Sequence, residues 1–147
     1  MRQTERMEHM TESEWRAFVS HGTRTAKVAV VREDGSPHVT PVWFVLDGDD
    51  LVFNTGASTV KGRALRRDPR LALCVEDDEP PFSFVTILGA VELTDDVEAM
   101  LPVATAIGAR YMGAERGEEF GRRNAVPGEI LVRVKIGKVI AERDLAD

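Results

Sequence analysis

Apolar residues recur along the chain in short runs divided by turn-forming residues, a rhythm of strands more than of long helices. The first periodic segment, Thr11 to Val19, is the exception. Trp15, Phe18 and Val19 share one helical face, Thr11 and Glu14 have capping-box spacing, and His21-Gly22 stops the helix. Thr25 to Arg32 then reads as a strand rich in Ala and Val, and Asp34-Gly35 is a strong hairpin signal. The return strand runs from His38 to Leu46. Asp47-Gly48-Asp49-Asp50 turns the chain again into a strand over Leu51 to Thr55, so this part reads as a β-meander.

After Ser58 the pattern becomes helical, and the helix ends at Asp68-Pro69 because proline can neither continue it nor leave its predecessor free. Leu71 to Val75 is apolar throughout and predicts a strand buried on both faces. The acidic loop Glu76 to Pro81 leads to a strand over Phe84 to Leu93, with Val85, Ile87 and Val91 inward and Gly89 at a bulge or bend. Thr94, with Asp95 and Asp96 behind it, is an N-cap signal for the next helix, which Pro102 should kink or divide and Arg110 and Gly113 close. The polar stretch 114–128 has room for a short helix over Glu115–Arg123. The last strand, Glu129 to Ala141, sets Ile130, Val132 and Val134 against Leu131, Arg133 and Lys135 before Gly137 interrupts it. Consecutive strands, about six in all, with a few flanking helices give a mainly β, antiparallel barrel or sandwich and not a doubly wound sheet.

Composition adds limits. A chain of 147 residues is most simply one domain with its own core, here 11–147, behind a polar lead-in over 1–10 expected to be disordered. No apolar run approaches the roughly 18 to 20 residues of a membrane span. The N-terminus lacks the apolar segment of a secretory signal, and Cys74, the single cysteine, has no partner for an internal disulfide. A cytoplasmic protein is the expectation. With 19 basic and 25 acidic residues the net charge is −6, which argues against nonspecific nucleic-acid binding.

The chemistry centres on Leu51 to Leu65, a strand, a hydroxyl-rich turn and a helix with Lys61 in its first turn. The positive end of a helix dipole disfavours a cation there, unless an anion sits between the helix amides and the ammonium. Phosphate is the usual such anion. The alternative is plain capping, with Ser58 or Thr59 as the cap and Lys61, Arg63, Arg66, Arg67 and Arg70 as a solvated face. The order Gly56 to Lys61-Gly62 is not the phosphate loop of nucleotide hydrolases, and no GxGxxG, HExxH, CxxC or GxSxG pattern is present. On the neighbouring strand Pro41 removes a ladder donor and belongs at an edge or bulge. Trp43 is then either core or the flank of a planar heterocycle bonded by the freed backbone.

The order and spacing of Gly35 to Phe44, Phe53-Asn54-Thr55 through Lys61, Leu65 to Leu71, and Pro80 to Val85 with Gly89 resemble the flavin-reductase-like split β-barrel family that includes pyridoxamine 5′-phosphate oxidases. More closely they resemble its actinobacterial branch that uses the deazaflavin coenzyme F420. The resemblance implies an FMN-binding-type split β-barrel of six antiparallel strands, acting as a homodimer with the cofactor site at the subunit interface and no metal. It implies that Thr55, Ser58, Thr59 and Lys61 hold the cofactor phosphate, with Val60 also among the cofactor-binding residues, that Thr40, Pro41, Val42 and Trp43 lie along the ring, and that Asn54 sits near the ribityl chain. Phe82 or Phe84 of the second subunit would cover the ring. The cofactor would supply the hydride, so no catalytic side chain is expected, and His38, Tyr111 and a bound water stand equal as proton source. The cofactor the resemblance implies is F420, with FMN as alternative; a non-catalytic flavin or haem binder is the other reading. The chain ends at Ala141 to Asp147 without the Arg-, His- and Trp-rich substrate segment of dedicated pyridoxamine phosphate oxidases, so vitamin B6 oxidation is not expected.

Overall fold

The computed structural model describes residues 8–147. In chain order the elements are β1 (Glu8–His9), α1 (Glu12–Val19), β2 (Ala26–Val31), β3 (Pro37–Val42), β4 (Val45–Asp47), β5 (Asp50–Gly56), α2 (Val60–Arg67), β6 (Arg70–Asp77), β7 (Ser83–Thr94), α3 (Val97–Met112), a 3-10 turn (Ala114–Arg116), α4 (Gly117–Asn124) and β8 (Glu129–Arg143). All strand pairs are antiparallel. They form one eight-stranded sheet in the order β3-β2-β6-β7-β8-β5-β4, with β1 added to β8. The mainly β antiparallel class is therefore as expected, its six long strands supplemented by the short β1 and β4.

The expected single return strand from His38 to Leu46 is divided. Up to Val42 it pairs with β2, and from Val45 it pairs with β5. Because β3 and β4 end the sheet path at opposite sides, Trp43 and Phe44 alone span from one edge to the other. The sheet must curl until its edges nearly meet, although no ladder closes it into a barrel. Phe44 turns fully inward at this junction. Arg110 of α3 fastens it, donating from Nη1 to the Phe44 carbonyl at 2.7 Å, from Nη2 to Val19 O at 2.7 Å and from Nε to Gly22 O at 2.9 Å. A planar guanidinium suits three carbonyls that no strand partner satisfies.

Inside the curl, Phe44, Leu51, Phe53, Leu65, Leu73, Val75, Val85, Ile87, Ile130, Val132 and Val134 form the main core. A smaller cluster, with Val52, Met100, Ala104 and Leu131, seats α3 on the outer side of β5 and β8. Each large side chain so buried contributes on the order of 2 kcal/mol.

Several local expectations are revised. Leu71, Leu73 and Val75 are buried, but Ala72 and Cys74 between them are only half covered within this chain. Gly137 does not end β8; it is the unpaired residue of a bulge opposite the Leu88–Gly89 step. Asp96, and not Thr94, caps α3 through the Glu98 amide, while Thr94 Oγ1 accepts from Asp96 N. Pro102 lies in the exposed second turn of an unbroken α3, where its missing donor faces water. Of the disordered lead-in expected over 1–10, residues 1–7 lie outside the described residues. Glu8 and His9 pair with Arg143 and Glu142, and Met10 N donates to Ala141 O, so the edge of β8 gives them order. No helix among the described residues is long and apolar enough to cross a membrane.

Candidate functional site

The β5–α2 turn is built by short-range chemistry. Thr59 has extended backbone and caps α2, its Oγ1 accepting from Gly62 N at 3.1 Å and donating to Gly56 O at 2.7 Å. Gly62 packs straight onto the turn; a Cβ there would lie 2.3 Å from Gly56 O. Ala64 and Leu65 then bury the other side of the helix in the core. Thr59 is thus the cap, with its donor committed inside the turn.

With the turn fixed, Lys61 does not extend from the helix end into water. Its side chain is half-buried and its Nζ donates to Thr40 Oγ1 on β3 at 3.1 Å. No carboxylate lies within ion-pair distance of it among the described residues. Burial holds its pKa below the ordinary 10.5, and the nearby charge of Glu129 opposes that shift in part. An ammonium with one neutral oxygen partner has further donors to give.

Pro41, Val42, Trp43, Asn54, Thr55 and Lys61 line one cleft of about 260 Å³ together with Ile107, Asn124 and Glu129. Thr40 joins through its bond to Lys61. Ser58 is exposed at the turn and does not line the cleft, nor does Thr59. Val60 faces the opposite side of α2, a cleft of about 390 Å³ shared with Arg32, Glu33, Asp34, Arg63 and Arg67. Pro41 sits on an edge strand, as its missing donor requires.

Trp43 is neither core nor free. One face of its indole stacks on Tyr111, with centroids 5.0 Å apart and an angle of 4°, and Phe120 of α4 tilts against it at 6.1 Å. It remains 38% exposed on the cleft side. Tyr111 Oη donates to Arg24 O at 2.7 Å and accepts from Phe44 N at 3.3 Å, so it supports Trp43 and has no proton to offer the cleft. Burial pushes its pKa up, against that bond from Phe44 and the neighbouring Arg110. His38 Nδ1 meets Arg32 Nη2 at 3.0 Å, away from the cleft.

Glu129, Asn124 and Ile107 were not legible in the sequence. Glu129 opens β8 opposite Gly56, and Asn54 Nδ2 bonds its Oε1 at 2.9 Å and Asn124 O at 3.3 Å. This diagonal neighbour is set by strand register, and no local spacing carries it. Among the described residues, no cluster of His, Cys, Asp and Glu could hold a metal ion.

The cleft therefore offers an ammonium, a buried hydroxyl at Thr55, the Asn54 amide oxygen as an acceptor, and an aromatic wall held in a fixed orientation. The ammonium and hydroxyl suit a phosphate, and the wall suits a flat ring beside it. Over residues 11–141 the sequence matches the family described as pyridoxamine 5′-phosphate oxidase. No curated protein matches. Among solved structures, a conserved hypothetical protein from Mycobacterium tuberculosis is 29% identical, with a TM-score of 0.80 over 94% of this chain and 89% of that one. An F420 reductase is 22% identical, with a TM-score of 0.65 over 84% and 94%. A haem storage protein from Vibrio cholerae is 18% identical, with a TM-score of 0.72 over 92% and 98%. The last two likenesses concern the fold alone.

Proposed function

The chain belongs to the pyridoxamine 5′-phosphate oxidase family, and we propose that it is a cytoplasmic, F420-dependent oxidoreductase reducing a small conjugated substrate such as a quinone, an enone or a tetrapyrrole like biliverdin. The observation that carries this reading is the convergence of Pro41, Val42, Trp43, Asn54, Thr55 and Lys61 on one cleft, with Thr40 bonded to the lysine. Lys61, Thr55 and the amides at the start of α2 hold the phosphate, Asn54 meets the ribityl chain, and Thr40 to Trp43 flank the ring. Bound there, the deazaflavin supplies hydride transfer, and the chain orients it and excludes water. With Tyr111 and His38 both engaged elsewhere, a water is the proton source this reading requires. FMN is the alternative cofactor.

A homodimer completes the proposal. Val39, Ala29, Ala72 and Leu88 stand in register across β3, β2, β6 and β7 on the outer face of the sheet. Val39 is 63% exposed and Leu88 38%. The unbroken apolar run of β6 makes sense if a second subunit covers that face. Titration of the purified protein with F420, followed by its fluorescence, tests the cofactor. Saturable quenching supports the reading and an unchanged spectrum sinks it. Tight binding with no turnover across a panel of quinones, enones and biliverdin would instead favour a non-catalytic binder, for which the haem storage fold is a precedent of shape.

A further inference from the structure

Lys61 and Glu129 are the charged side chains among the residues lining the candidate cleft, and they oppose each other. Glu129 is held there by strand register opposite Gly56 and by the Asn54 amide at 2.9 Å. It forms no ion pair with Lys61, yet its charge is felt at the ammonium. An anion arriving at Lys61 thus meets one attractive and one repulsive charge in the same partly desolvated cleft. Like charges there are strongly disfavoured.

Phosphates differ in how they meet that arrangement. A phosphodiester keeps a single negative charge at every pH near neutrality, whereas a monoester carries roughly −1.5 to −2 at pH 7, with its second pKa at about 6. Repulsion from Glu129 therefore bears about twice as hard on an ionised monoester as on a diester. We propose that Glu129 is a specificity residue that selects phosphodiester ligands over phosphomonoesters in this cleft. The inference rests on the cleft being the phosphate site. It bears directly on the cofactor, because the ribityl phosphate of F420 is a diester and that of FMN a monoester. A carboxylate so placed excludes the wrong ligand without contributing to the affinity of the right one.

The test compares F420 and FMN binding, by fluorescence, to the wild type and to Glu129→Gln, which keeps size and an acceptor for Asn54 but removes the charge. Glu129→Gln should tighten FMN by about tenfold and F420 by no more than about threefold. The gain for FMN should grow between about pH 5 and pH 8, as the second phosphate proton leaves. An equal F420-to-FMN ratio in the two proteins overturns the role of Glu129. If that variant does not fold, the wild type decides: FMN affinity that climbs steeply with pH, as for a lone lysine, overturns the proposal, and flat or falling affinity supports it. Lys61→Ala separates the two levels. Weaker binding of both ligands in that variant, with an unchanged ratio in Glu129→Gln, rejects only the selectivity. Binding of both ligands at wild-type strength to Lys61→Ala, or of neither ligand to the wild type, rejects the phosphate site and the selectivity with it.

Discussion

The two clefts that flank α2 make an instructive pair. The larger, at about 390 Å³, carries Arg32, Arg63 and Arg67, and by cation count alone it is the better anion site. Yet its arginines are exposed, and Glu33 and Asp34 stand among them. Arg32 and Arg67 have partners within the β2–β3 hairpin, at His38 and Val31 O. The smaller cleft has a single lysine, but that lysine is half-buried, drawn back to Thr40, and set among amide and hydroxyl groups from β3, β5 and α4 and the Glu129 carboxylate of β8. Charge in water is screened and cheap to hydrate, and charge in a desolvated cleft is not. The difference teaches that convergence of elements, more than charge or volume, marks the candidate site.

Four measurements sharpen or break that contrast. The largest effect belongs to Gly62→Ala, because this residue joins the helix to the turn that both clefts share. In an open helix the change would gain about 1 kcal/mol. Against the Gly56 carbonyl it should instead cost a net of about 2 kcal/mol in urea unfolding, and a neutral result would mean that the turn is looser than described. Lys61→Ala should weaken F420 about tenfold, or about 1.4 kcal/mol, while Arg63→Ala should leave the affinity within about twofold. The reverse ranking would move the anion site to the arginine cleft. Thr59→Ala should cost about 1 kcal/mol of stability through the lost cap, with a smaller effect on F420 affinity than Lys61→Ala. The gentlest test is pH. Burial lowers the Lys61 pKa, so the ammonium loses its proton below the ordinary 10.5. F420 affinity should therefore decline in alkaline buffer before an ordinary lysine would titrate. A site made of arginines would stay flat over the same range.

The sequence made one side of this contrast readable and hid the other. Thr59, Lys61, Pro69 and the Asp34-Gly35 hairpin act through neighbours a few residues away, so capping, turn and breaker rules find them. The same rules find the capping box of Thr11 and Glu14, where both reciprocal bonds are present. Glu129 reaches Asn54 only because β8 pairs with β5 in a given register, and Tyr111 meets Trp43 only because α3 packs across the sheet. The break at Trp43 and Phe44 was equally silent. The apolar run Val42 to Leu46 continues unbroken through it, and only the exchange of partner from β2 to β5 reveals two strands. Apolarity of β6 on both faces was legible, but within this chain it is only half satisfied, with Ala72 and Cys74 partly uncovered.

The position of β8 in the sheet has a consequence for how the chain is made. Of these strands it is the last to be synthesised, yet it lies between β7 and β5 and carries β1 as well. Until it emerges, β4 and β5 have each other but no link to the rest of the sheet, and Leu51 and Phe53 have no finished core to enter. Domains usually acquire structure from the N-terminal side during synthesis. Here the nascent chain can assemble the β2–β3 hairpin early, but the sheet joins into one piece only after β8 itself has been made.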